Sequence, residues 1–378
     1  MWRCLLLLLL FGLLLAGCSS RTAPRDVGGP VWPDLRADRR PRADTSSRDA
    51  RPALPDLTLP DVAPPDRWTH DFRPELGPTL AWQKQPLLTA EDLHDVACVA
   101  AHVFVVGAQG TILHHAPSAP GFQPQVLPGS TAPELHAVSF AGMSYGAAAG
   151  KDTEIWKTTD LGATWEVASQ CHGTLLDTVY GIHLSAVEDG FAVGLAQSGE
   201  GAAKYMNSST GYPSWTCTTT YPSATFYDVF RLGKDGWAVG ATGGAIYRTE
   251  DEGVSWSPVP AGTSQTLRGV AFVGATVGVA VGESGAIVRS TDGSGAVWAG
   301  VSSPTSAALW DLFFWDALSG WAVGASGTIL HTGDGGVTWS TQKSGTAARL
   351  EAVCFSSATE GWVVGEKGLL LHTGTGGE

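Results

Sequence analysis

Methionine is nearly absent, with 3 residues in 378, and charged side chains make up only 16% of the chain. Against 48 glycines and 15 tryptophans, this balance suits many short strands with tight turns and aromatic packing, and long helices are not expected. Basic residues are also short, 23 Lys+Arg against 36 Asp+Glu, a formal charge of -13. From Leu80 onward the count is 12 against 26, so the excess of acid lies in that part. Nucleic-acid binders gather Lys and Arg on one face to displace counterions, so nucleic acid is excluded as a partner. No apolar run reaches bilayer-spanning length. Also missing are the Gly-x-Ser-x-Gly elbow, the His-Glu-x-x-His zinc motif and metal-ligand spacing among the cysteines, so neither a cofactor nor a metal site is expected.

The first residues form an export signal. Met1-Trp2-Arg3 is a short basic start and Leu5 to Leu15 is an apolar run too short to cross a membrane. Leu15-Ala16-Gly17-Cys18 follows at once and resembles the bacterial lipobox, which implies removal of residues 1–17 and lipid attachment at Cys18. Ser19 resembles the sorting signal for an outer membrane, so a membrane-anchored envelope protein is expected. Residues 18–79 are rich in Pro, Asp and Arg, with Pro-Asp at 33–34, 55–56, 60–61 and 65–66. Such a stretch buries too little apolar surface to offset its ordering entropy, so it reads as a disordered tether with a root-mean-square reach of roughly 40–50 Å.

The remainder, 80–378, is periodic. A Val-Gly or Ala-Gly step recurs at Gly107, Gly150, Gly194, Gly240, Gly282, Gly324 and Gly365, at spacings of 41 to 46 residues. The unit around Gly320–Trp339 contains two short alternating strands split by a glycine-bounded turn, then a second turn and a Trp that opens a third strand. Leu309–Phe314 upstream supplies the fourth. Four strands at this period predict an all-β, seven-bladed β-propeller with four-stranded antiparallel blades. The last unit lacks its Trp strand, while an unpaired strand holding Trp82 precedes the first. The N-terminal strand is therefore expected to close the last blade and to join the chain ends non-covalently.

Thr158–Trp165, Thr249–Trp256 and Thr332–Trp339 match the Asp-box pattern Ser/Thr-x-Asp-x-Gly-x-x-Trp, and Ser290-Thr291-Asp292 begins a fourth. The carboxylates of Asp160, Asp251, Asp292 and Asp334 are expected to tie tight turns, a structural role. Together, Gly-Trp-x-Val-Gly-x-x-Gly-x-Ile-x-x-Thr-x-Asp-Gly-Gly-x-Thr-Trp resembles the photosystem II assembly and stability factor family over 80–378. The resemblance implies a seven-bladed, non-catalytic propeller that binds a protein partner. Photosynthetic members carry an arginine-rich patch for that purpose, whereas this domain is acidic.

Aligning the first strand of each unit exposes a variable position just after the leading apolar residue, occupied by His94, His136, Tyr180, Tyr227, Arg268, Trp310 and Glu351. In propellers this position lies near one channel mouth, and these residue types are enriched in recognition surfaces, so the ring is the expected partner-binding face. A second ring, His114, Lys157, Arg248, Arg289, His331 and His372, neighbours acidic turns and is expected to pair locally with carboxylates. A glycan is the alternative partner, through a sialidase-like carbohydrate-active enzyme of the envelope. That chemistry needs an arginine triad, for which Arg231, Arg268 and Arg349 are present, but no Arg-Ile-Pro motif accompanies them.

Four cysteines remain after Cys4 and Cys18. Cys171 follows the Trp strand of one unit and Cys217 lies in that of the next, and the two are the favoured disulfide. Cys98 and Cys354 lie in the first strands of the terminal units, one residue out of alignment. They are expected to point to opposite faces unless a strand shifts, and their pairing is left open.

Overall fold

The computed structural model describes residues 81–378 apart from 130–131, 152–153, 170–176, 188, 196–200, 207–214, 222–224, 241–242 and 275. The side chains of 169, 201–206 and 216–221 are also outside the description. The chain divides into two units, Met1–Arg73 and Pro74–Glu378, of which only the second is described. Cys18 and the segment expected to be a tether lie outside the described residues.

Strands β1 to β28, numbered along the chain, form four-stranded antiparallel sheets, each a meander of consecutive strands except at the junction of the chain ends. The first strands of these sheets are β2 (Leu93–Val99), β6 (Leu135–Ala141), β10 (Thr178–Ala186), β14 (Phe226–Leu232), β18 (Leu267–Val273), β22 (Leu309–Phe314) and β26 (Leu350–Phe355). Each packs against the next, and β26 packs against β2, so the first strands surround a channel.

The expectation of seven like blades is corrected. Six sheets are regular blades of the repeat. The remaining sheet, which begins at β10 and ends at β13 (Trp215–Tyr221), departs from the others. Its β10 runs for nine residues with two register shifts, and its last two strands are not described beyond their backbone, Trp215 excepted.

The recurring glycine is a steric requirement. It ends the second strand of each of the six regular sheets, where a Cβ at Gly150 would lie 1.9 Å from the Glu134 carbonyl oxygen, and one at Gly324 2.0 Å from that of Ala308. No side chain fits between the second strand and the start of the first. The apolar cores form between sheets. Trp321, Val323 and Ile329 of one sheet pack with Leu350, Val353, Phe355 and Leu371 of the next, and Trp321 stacks on Phe355 at 3.6 Å. Burying each such aromatic side chain contributes about 2–3 kcal/mol.

The chain ends share one sheet. β1 (Gln83–Lys84) pairs with β28 (Leu370–Thr373), Gln83 opposite His372. Trp82 is fully buried, meets Phe355 edge-on at 5.9 Å and donates from Nε1 to Gln342 Oε1 at 3.0 Å. The junction is also covalent, because Cys98 and Cys354 form a disulfide across 256 residues. The favoured Cys171–Cys217 pair lies outside the described residues.

The disulfide forms because neighbouring first strands meet one residue out of step. Counting from the leading apolar residue, the fifth residue of one strand faces the sixth of the next. Phe230 stacks on Phe272 and Phe313 on Phe355 in this way. The Leu184 N–H donates to Ser139 Oγ, and the Arg231 N–H donates to His183 Nδ1. Cys354 is a fifth residue and Cys98 a sixth, so misalignment within the repeat is alignment between blades.

Two stability measurements check this closure. Trp82→Ala is expected to cost about 3–5 kcal/mol in urea unfolding, whereas Gln83→Ala, exposed beside it, stays within about 0.5 kcal/mol. The double substitution Cys98→Ser, Cys354→Ser is expected to cost about 2–5 kcal/mol under oxidising conditions and nothing when both proteins are reduced.

Candidate functional site

The residue after each leading apolar position points toward one mouth of the channel, and His94, His136, Tyr180, Tyr227, Arg268, Trp310 and Glu351 line a single cavity there. They stand side by side, half-buried. Ring centroids are 5.1 Å apart from His94 to His136, 5.3 Å from His136 to Tyr180 and 5.6 Å from Tyr180 to Tyr227. The Arg268 guanidinium lies between two aromatic faces, 4.2 Å from Tyr227 and 4.4 Å from Trp310. Such stacking holds a cation flat and leaves its edge for an acceptor. Glu283 already takes two of its N–H bonds, at 2.7 and 3.1 Å.

Two further residues join the mouth from the position before the leading apolar residue. Arg349 lies 5.4 Å from the Trp310 ring and pairs with Glu351 at 2.5 Å. Glu134 places Oε1 3.3 Å from His94 Nε2. This is not an ion pair, because burial lowers the pKa of His94 more than Glu134 raises it. Burial, then His94, push His136 down to about 4, so both imidazoles are neutral at pH 7. His94 Nε2 and Trp310 Nε1 are buried without a hydrogen-bond partner. Unpartnered buried polar atoms are costly and mark places where a ligand would supply the missing bond.

Beneath the mouth, three aspartates of the channel wall staple adjacent blades. Asp95 accepts the Val96 N–H of its own strand and the Val138 N–H of the next, each at 2.7 Å. Asp228 does the same with Val229 and Val270, and Asp311 with Leu312 and Val353. The one-residue stagger makes each bridge possible. Their side chains border the channel yet are surrounded by protein, and burial raises Asp95 to about 6 and Asp228 to about 7. Asp311 is also raised, first by burial and then by Asp95 and Asp228. Sequence reasoning missed this trio, although Leu-His-Asp-Val, Phe-Tyr-Asp-Val and Leu-Trp-Asp-Leu carried the signal.

The Asp boxes lie away from the mouth. Asp160, Asp251 and Asp334 each accept from the Thr two residues before and from the backbone N–H four residues after, and Asp292 accepts three backbone N–H bonds from its own turn. Hydrogen bonds to the charged form, from Thr338 and Ser294 first, hold Asp334 and Asp292 near 2. In the second ring Lys157 pairs with Glu166, Arg248 with Glu250 and His372 with Glu360. The others differ: Arg289 donates to the Gly335 carbonyl, His114 contacts His102 at 2.9 Å and His331 stacks on Trp321. Of the three arginines offered for a sialidase-like site, Arg268 and Arg349 reach the mouth. Arg231 is buried beside Asp189 under the Phe191 ring, four residues further along β14.

The family model for the photosynthesis system II assembly factor YCF48 matches residues 290–378. No curated protein matches the sequence. Among solved structures the chain is similar to a YCF48 bound to a D1 peptide, at 21% identity and a TM-score of 0.64, covering 78% of this chain and 97% of that one. YCF48 from Cyanidioschyzon merolae is similar at 19% identity and a TM-score of 0.61, covering 77% and 98%. A catalytically inactive virginiamycin B lyase from Staphylococcus aureus with quinupristin gives 13% identity and a TM-score of 0.64, covering 77% and 98%. The chain is thus a β-propeller that resembles photosystem II assembly factors. The same fold also carries a lyase, so function has to be argued from the site.

The channel aspartates make stability depend on pH in a defined direction. Between the unfolded value near 4 and the folded value of about 7, the folded state holds the Asp228 proton that the unfolded state has released. The contribution of Asp228 is therefore fully present below about pH 4 and is lost as pH rises to about 7. In urea titrations from pH 4 to pH 8, the stability advantage of wild type over Asp228→Asn is expected to shrink by about 1–4 kcal/mol. An advantage that grows with pH would mean that the two backbone bonds outweigh burial.

Proposed function

We propose that this chain is an exported, lipid-anchored binding module that takes a segment of a protein partner at the channel mouth and catalyses no reaction. The observation that supports this most is the cavity lined by one residue from every first strand, in which Arg268 and Trp310 present an aromatic-flanked cation and an unpartnered N–H. A carbonyl or carboxylate of an extended peptide suits such groups, and aromatic and arginine side chains dominate protein recognition. The YCF48 that was solved with a peptide supports the class of partner. The Cys98–Cys354 disulfide supports an oxidising compartment, in line with export and with lipid on Cys18. The acidic charge of the domain suits a partner with basic character around the bound segment.

A carbohydrate-active enzyme is less well supported, because the burial of Arg231 beside Asp189 leaves two arginines at the mouth where that chemistry uses three.

The test is capture of partners from native envelopes by the full-length lipoprotein, compared with a variant carrying Tyr227→Ala, Arg268→Ala and Trp310→Ala. A protein retained by wild type and lost from the folded variant, with a dissociation constant weakened about 10-fold or more, supports the mouth as the binding face. Equal retention by both proteins rejects it, and turnover of envelope glycans by wild type would overturn the non-catalytic reading.

A further inference from the structure

We infer that the mouth contains a binding site for one divalent transition-metal ion, zinc above all, held by His94, Glu134 and His136. The three side chains come from two blades, His94 on β2, His136 on β6 and Glu134 immediately before β6. Their donor atoms lie within 4.8 Å of one another. Two imidazoles and one carboxylate form a donor set that zinc, nickel and copper accept and that magnesium and calcium do not favour.

The His94–Glu134 contact carries the argument further than proximity. At 3.3 Å, Nε2 and Oε1 are in direct contact, and Nε2 is sealed from solvent with Glu134 as its polar neighbour. Two ligands of a tetrahedral zinc, each about 2 Å from the metal, stand ~3.3 Å apart. The pair therefore has the spacing of two atoms that share an ion. The His94 and His136 rings are tilted at 47° with centroids 5.1 Å apart, which leaves their nitrogens room to converge.

The scaffold fixes two of the three ligands. Each imidazole sits on a strand of the channel wall, and Asp95, next to His94, ties β2 to β6 through the Val138 N–H. The backbone of Glu134 is held because its carbonyl accepts the Lys151 N–H at 2.8 Å, while its side chain is partly exposed. Asp92 adds negative charge near His94, and Arg349 and Lys151 oppose it. Three protein ligands leave a fourth position open toward the cavity, where water or a partner's carboxylate would complete the shell.

The test is calorimetric titration of the untagged full-length protein, stripped with chelator, with zinc chloride alone, and no partner is needed. One ion per chain is expected, with magnesium and calcium giving no saturable heat. Both His94→Ala and His136→Ala should weaken zinc binding about 100-fold while near-UV circular dichroism stays unchanged, and Glu134→Gln should weaken it less. His114→Ala, a histidine outside the site, should leave affinity as it was. Cobalt substitution gives an independent readout, with visible d–d bands lacking the thiolate charge-transfer band that a cysteine site would show. No saturable binding to wild type, or affinity unchanged in both His94→Ala and His136→Ala, would overturn the proposal.

Discussion

Neighbouring blades meet through first strands that are one residue out of step, and that offset governs the rest of the molecule. It brings the carboxylates of Asp95, Asp228 and Asp311 onto backbone N–H groups of the following blade. It stacks Phe230 on Phe272 and Phe313 on Phe355. It also places Cys354 against Cys98. At the mouth Glu134 and Arg349, each from the position before a leading apolar residue, reach His94 and Trp310 of the preceding blade, so pairs of blades build composite groups there.

Most of the architecture was legible in the sequence because the repeat is enforced sterically. A Cβ at Gly107 or Gly240 would collide with a carbonyl oxygen just over 2 Å away, so the glycine recurs wherever a regular blade forms and sets the period. Residues that alternate within a blade could likewise be read from one unit. What could not be read was anything set between units. The alignment placed Cys98 and Cys354 on opposite faces because it compared blades as if they were superposed, whereas in the molecule they are stacked with a shift. The same blindness hid the His94, Glu134 and His136 cluster, because His94 lies in one unit and the Glu134–His136 pair in the next. The Thr178–Tyr221 sheet keeps the Val-Gly step and four strands, yet its register departs from that of the other six, which the step alone does not reveal.

The channel divides into two electrostatic regimes. At the mouth, arginine, histidine, tyrosine and tryptophan contact one another, and Trp310 Nε1 lacks a partner. One layer below, the aspartates are fully engaged with backbone and are held toward the neutral form by burial. A deep layer that resists charge and a rim that seeks partners is a suitable division for a rigid receptor, because ligands can change at the rim without disturbing the joints between blades.

The disulfide has a mechanical consequence. Because Cys98 and Cys354 are bonded, a pull applied to the two ends of the described chain travels through the sulfur bridge and bypasses everything between them. Only about 40 residues can then be drawn out, adding roughly 140 Å of length, and the intervening blades bear none of the load. Reduction of that single bond would place all of them in series with the force.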